Sequence, residues 1–195
     1  MVLSQKSRLV YFATSNMHKF EEARLLLGNY GIAVVVLNVK SLEIQADDLE
    51  EIARTAVVHA TKANNLPMIV EDAGLFIEAL NGFPGPYSSF VFRKIGNEGV
   101  LKLMQNVANR EAEFRSAVAF CTPDLQPKSF KGVVEGVISL EKRGVHGFGF
   151  DPIFIPSNGG GHTFAEMRPE EKNMLSHRAK ALGQFAEWYV KKFNV

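Results

Sequence analysis

Four stretches of the chain gather residue types able to bind or activate a charged ligand. The first is Thr14-Ser15-Asn16-Met17-His18-Lys19, set between the apolar run Leu9 to Ala13 and a helical pattern. A helix N-terminus presents unpaired backbone N–H groups and a partial positive charge, and hydroxyls with a lysine beside it suit a phosphate. The simpler reading is a helix cap at Ser15 or Asn16 with Lys19 in solvent. No Gly-x-x-x-x-Gly-Lys-Ser/Thr occurs, so the turn is not a P-loop. The second stretch is acidic: Glu43 in Leu42 to Asp48, and Glu71-Asp72 directly after the strand-like Pro67 to Val70. Ligands of α/β sheets collect outside the carboxyl ends of strands, where such carboxylates could hold Mg²⁺ or orient water. They could equally cap a helix or lie in a solvated turn.

The third stretch is Gly147-Phe148-Gly149-Phe150-Asp151-Pro152. Glycines let backbone approach a flat ligand, aromatic faces stack on a base, and Asp151 could accept from a ring N–H. Alternatively, it is a bulged loop whose phenylalanines plug the core. Pro152 leaves Gly-x-Gly-x-x-Gly incomplete, so a dinucleotide fingerprint is unsupported. The fourth is Glu170 to Arg178, at the entry of the last helix, with Lys172, His177 and Arg178. The helix dipole disfavours cations at a helix start, so these side chains make sense facing an anion or carbonyl oxygens. The alternative is a Ser176 cap with the basic groups in solvent.

The elements that must position these residues alternate at first. Leu9 to Ala13 and Ile32 to Leu37 read as strands, and Phe20, Ala23 and Leu27 as one helical face ending at Gly28-Asn29. Leu49, Ile52, Ala53, Ala56, Val57 and Ala60 form a second helical face up to Asn64-Asn65. This alternation predicts an α/β layer with parallel pairings. Asn81 to Tyr87 reads as a Gly/Pro loop, and Gly99 to Met104 as a short helix. Glu113 to Cys121 and Ser129 to Leu140 read as an antiparallel pair, Ile153 to Ile155 as a short strand, and the chain from about Ser176 as a final helix. No repeat or long linker divides the chain, so residues 1–195 read as one domain with two lobes.

The 195 residues carry 22 Lys+Arg against 21 Asp+Glu, a net charge of +1, and 46% are hydrophobic. That balance disfavours the broad basic face of a nucleic-acid binder, so an anionic partner has to be met locally. Cys121 is the only cysteine, which excludes an internal disulfide and fits a reducing compartment. No apolar run is long enough for a bilayer, and a cytoplasmic protein without a membrane partner is expected.

Taken in order, Ser15-Asn16 with Lys19, Glu71-Asp72 with Gly74, Gly82-Phe83-Pro84-Gly85, Phe148-Gly149-Phe150-Asp151-Pro152, Glu171-Lys172-Asn173 and Ser176-His177-Arg178 resemble the inosine triphosphate pyrophosphatase family, close to its archaeal branch. The resemblance runs from Leu9 to the last helix. It implies an α/β fold of two lobes around a long mixed sheet with flanking helices and a central substrate cleft, a homodimer, and hydrolysis of ITP, dITP and XTP to the monophosphate and pyrophosphate. Thr14, Ser15, Asn16, Met17, His18 and Lys19 would hold the triphosphate. Glu43 and Asp72, with Glu71 beside them, would bind Mg²⁺, and Asp72 would be the proton acceptor. Ala73 would touch substrate, and Phe148, Gly149, Phe150, Asp151, Lys172, His177 and Arg178 would hold the base and sugar. Donors from His177 or Arg178 match a purine 6-oxo group, whereas the 6-amino group of ATP leaves donors facing donors.

Two positions depart from the pattern: Ala73 stands where many relatives have Ser or Thr, and Ala56 where many have a helix lysine. A related pyrophosphatase of other base specificity and a non-catalytic nucleotide-binding regulator are the alternatives. Tyr87 to Phe92 is the expected dimer surface.

Overall fold

Strand β1 (Leu9–Ala13) delivers the chain into the polar turn at Thr14, and helix α1 (Met17–Gly28) follows at once. In the computed structural model, which describes residues 8–39, 42 and 44–193, the α1 start is set by Asn16. Its side chain accepts from the backbone N–H groups of His18 and Lys19 at 3.0 and 3.2 Å, filling two of the donors a helix leaves unmade. Phe20, Ala23 and Leu27 are the buried face, as their spacing predicts. Strand β2 (Ala33–Leu37) pairs in parallel with β1. Helix α2 (Leu49–Asn64) begins at an Asp48 cap and stops at Asn65, whose left-handed backbone (φ 55°) closes the last turn onto the Thr61 carbonyl.

The next strand corrects the sequence reading. It does not end at Val70: β3 (Met68–Ile77) continues through Glu71, Asp72, Ala73 and Gly74. Gly74 lets β4 (Pro84–Gly85) pair closely, since a Cβ there would lie 2.2 Å from the Gly85 carbonyl oxygen. Ser88 ties this corner together, its hydroxyl accepting from Leu75 N–H and donating to the Gly85 carbonyl.

Helix α3 (Ser88–Leu103) is a second correction, since only its end was expected to be helical. Its backbone breaks at Gly96 (φ 60°, ψ −164°), and Phe90, Phe92 and Ile95 are exposed, so no apolar stripe advertises its first half. Strands β5 (Glu111–Thr122) and β6 (Leu125–Ile138) follow, then β7 (Phe154–Pro156), α4 (Pro169–Leu175) and α5 (His177–Phe193).

The seven strands form one mixed sheet in the order β2-β1-β3-β5-β6-β7, with β4 beside β3. Two compact units divide the chain: the described residues of 1–72, 117–131 and 178–195, and those of 73–116 and 132–177. The first packs Phe12, Leu27, Ile69, Phe120, Phe185 and Ala186 into a core. The second does the same with Leu75, Phe114, Ile138, Phe150, Phe154 and Phe164. Cys121 is buried, and that burial pushes its thiol above the ordinary cysteine range, which fits a packing residue. Among the described residues, no helix is long and apolar enough to cross a membrane.

One contact in the first unit gives a pH test. Burial raises the Glu50 carboxyl, but the Lys131 ammonium and the Ser129 hydroxyl, at 2.7 Å, outweigh it and hold the group below the usual glutamate range. A depressed folded-state value stabilises above the unfolded range and loses that contribution as pH falls through the folded one. The stability gap between wild type and Glu50→Gln should therefore be widest near neutral pH and close as pH falls below the usual glutamate range, as read by denaturant titration at several pH values.

Candidate active site

The first unit brings Lys19 of α1, Glu71 of β3 and Arg178 of α5 into one buried ion cluster. Lys19 Nζ lies 2.8 Å from Glu71 Oε2 and donates to the Glu71 backbone carbonyl at 3.2 Å. Arg178 Nε donates to Glu71 Oε1 at 3.1 Å, and its Nη1 donates to Glu22 Oε2. Glu22 is absent from the sequence reading. Its signal is the i, i+3 spacing from Lys19, which places both on one side of α1.

Arg178 is only 3% exposed, which rules out a solvated arginine at the helix entry. Thr14 Oγ1 accepts from Asn16 N–H at 3.1 Å, so both side chains organise the turn that opens α1. Ser15 and His18 are exposed at this turn, as is Met17 at 51%.

Asp72 follows Glu71 on β3, and successive side chains of a strand leave on opposite faces. The two carboxylates therefore do not bracket one point as a pair beyond a strand end would. Asp72 is half-buried and its carboxylate is a hard oxygen donor of the kind Mg²⁺ takes. Glu71 suits a cation less well, both its oxygens being engaged by Arg178 and Lys19. Glu43 lies outside the described residues.

In the second unit, Lys172 and Asp151 form a buried pair, Nζ to Oδ2 2.7 Å, each side chain 4% exposed. The same Oδ2 accepts the Phe148 N–H at 2.8 Å, and Lys172 Nζ lies over the Phe148 ring, 4.8 Å from its centroid. Gly147 makes this possible: its φ is +72°, and a Cβ would sit 2.1 Å from Asp151 Oδ2. Asp151 thus organises its own loop, a role not expected for it. Phe150 corrects the expectation of a base-stacking face. Its ring is 3% exposed in the core, edge-on to Phe92 at 5.4 Å, because Asp151 pins the loop with that side chain inward. Phe148 stays half-buried.

His177 is buried, stacked on Phe114 with centroids 4.5 Å apart and rings 8° from parallel. Phe114 lies on β5, in a stretch whose sequence points only to a strand. Ser176 is fully buried with extended backbone just before α5, which starts at His177 where the final helix is expected; α4 ahead of it is a helix the sequence did not signal. Ala56 lies on the buried face of α2, where a lysine ammonium would lose its water, and Arg54 and Lys62 lie on the exposed face. Ala73 is half-buried on β3.

The first unit offers the cations Lys19 and Arg178 for phosphate or carbonyl oxygens and the half-buried Asp72 carboxylate for a metal or a water; the second offers the buried Lys172 and the partly open Phe148 ring. The Ham1 family model matches residues 10–188. The chain belongs to the Ham1 family.

Among Ham1 relatives, a protein of Methanopyrus kandleri named dITP/XTP pyrophosphatase is 53% identical over 180 residues, covering 92% of this chain and 95% of that protein. A Pyrococcus horikoshii protein of the same name is 50% identical over 179 residues, covering 92% and 95%. Of solved structures, a HAM1 protein from Coxiella burnetii superposes with a TM-score of 0.82 at 31% identity, covering 94% of this chain and 98% of that one. The Staphylococcus aureus Ham1 protein gives 0.80 at 28%, covering 94% and 99%. The Ham1 match agrees with the family resemblance, and the mixed α/β sheet is the one that resemblance implies.

Proposed function

We propose that this protein is a nucleoside triphosphate pyrophosphatase that hydrolyses dITP, XTP and ITP to the monophosphate and pyrophosphate, removing them from the nucleotide pool. The carrying observation is identity of about half, over nearly the whole chain, to relatives named dITP/XTP pyrophosphatase. The buried cations give that reading a chemistry.

Thr14 to Lys19 would receive the triphosphate, with Lys19 as its charge partner and the α1 amides behind it. Asp72 would orient and deprotonate the water that attacks the α phosphorus, the pyrophosphate leaving with the β phosphorus. Asp72 and Glu43 would hold Mg²⁺, which supplies charge neutralisation on the phosphate oxygens. Phe148 would face the base, and Lys172, His177 and Arg178 would supply donors for its oxo groups. Gly149 and Phe150 would serve through the backbone of their loop, which the Asp151 carboxylate holds. An unpaired buried donor costs roughly 1–3 kcal/mol, so several such contacts are needed to exclude a 6-amino purine. The reading includes a homodimer, with Tyr87 and Phe90 exposed on α3 and its entry, no nucleic-acid partner, and a cytoplasmic location.

A competition assay with XTP, dITP, ITP, GTP and ATP at equal concentration, followed by chromatography of the monophosphates, tests the specificity. XMP, dIMP and IMP should accumulate first. Preferential release of GMP or AMP would contradict it.

A further inference from the structure

The Glu71 cluster carries a step beyond naming individual binding residues. Its side chain is 1% exposed, and each carboxylate oxygen contacts a different cation: Oε1 with Arg178 Nε at 3.1 Å, Oε2 with Lys19 Nζ at 2.8 Å. Lys19 is held a second time by the backbone carbonyl of the same residue, and Arg178 a second time by Glu22. Two cations and two carboxylates make the cluster neutral. A metal ion on Glu71 would have to displace both cations in a place closed to water, and Mg²⁺ gives up its water reluctantly.

We infer that Glu71 is a positioning residue that couples the two ends of the substrate site, one carboxylate setting both the phosphate-binding Lys19 and the base-recognising Arg178. The inference rests on the nucleotide reading of those two cations. The physical need is clear from their side chains. Lysine and arginine lose the most rotamer freedom when fixed, and two like charges brought close repel unless an anion lies between them. A guanidinium gripped at Nε by Glu71 and at Nη1 by Glu22 has its plane fixed, and with it the direction of its remaining N–H groups. Glu71 also anchors Lys19 within hydrogen-bond reach of β3, the strand that carries Asp72.

Inhibition constants of two fragments separate the ends: pyrophosphate for Lys19, and inosine, which has no phosphate, for Arg178. Glu71→Gln should raise both by roughly tenfold to a hundredfold, because the negative charge that both cations face is removed. The half-saturating Mg²⁺ concentration should stay where it was. Glu22→Gln, which touches Arg178, should raise the inosine constant alone. Lys19→Met should raise the inosine constant as well as the pyrophosphate constant, because it releases Glu71 from one partner, and this holds the test open if Glu71→Gln does not fold.

A merely structural role lowers the active fraction without moving either constant, and that result overturns the inference. So does a raised Mg²⁺ requirement with unchanged fragment constants, which would make Glu71 a metal ligand. Wild-type protein inhibited by neither fragment would overturn the nucleotide reading and the inference together. Inhibited wild type with an unchanged Glu71→Gln overturns the inference alone.

Discussion

Asp72→Asn should fold as wild type does and lose roughly a hundredfold to ten-thousandfold of its turnover of XTP, the range that a positioned base contributes. Asparagine keeps the size of the side chain and can still point at a water, but it cannot take the proton. The substitution is clean because Asp72 and Glu71 leave β3 on opposite faces, so the Lys19–Glu71–Arg178 cluster is left in place. Initial rates and a melting curve together read the outcome. An unchanged melting temperature with unchanged turnover would remove Asp72 from the mechanism.

The second large effect is on stability. Lys172→Met leaves Asp151 buried without its cation, and breaking a buried pair in this way costs about 3–5 kcal/mol. For a chain of this size that corresponds to a melting temperature lower by roughly 6–20 °C. The Phe148 N–H still reaches Asp151 Oδ2, so the low end of the range is the better guide. Asp151→Asn in the Lys172→Met background should recover most of the loss, because removing both charges removes the uncompensated one. A double mutant no more stable than Lys172→Met alone would show that the pair is not the source of the stability. Both variants should also lose affinity for XTP, since Asp151 and Lys172 organise the loop that carries Phe148.

Much of the fold was legible because its early elements obey simple patterns. Asn16 and Asp48 sit where caps are expected, and the 3.6-residue spacing of Phe20, Ala23 and Leu27, and of Leu49 to Ala60, matches the buried faces of α1 and α2. Legibility failed where tertiary partners overrode local signals. Glu71 and Asp72 look like the end of a strand, yet β3 runs on because Lys19 and Arg178 neutralise the buried carboxylate. The first half of α3 carries its aromatic side chains outward and is broken at Gly96, so neither period nor propensity pointed to a helix.

The site shows the same division. Residue types and order were enough to bring Lys19, Glu71, Asp72, Asp151, Lys172, His177 and Arg178 to attention. Which groups touch was not readable, because ion partners such as Glu22 and ring partners such as Phe114 come from elements distant in sequence. Phe150 and Phe148 are two residues apart and alike in type, and only the packed loop separates a core plug from a partly open ring.

The most direct test of the central claim is the product balance for XTP with Mg²⁺ and purified protein. The account predicts one XMP and one pyrophosphate per XTP consumed, with no orthophosphate until a separate pyrophosphatase is added. Orthophosphate released together with XDP, and no pyrophosphate, would contradict it.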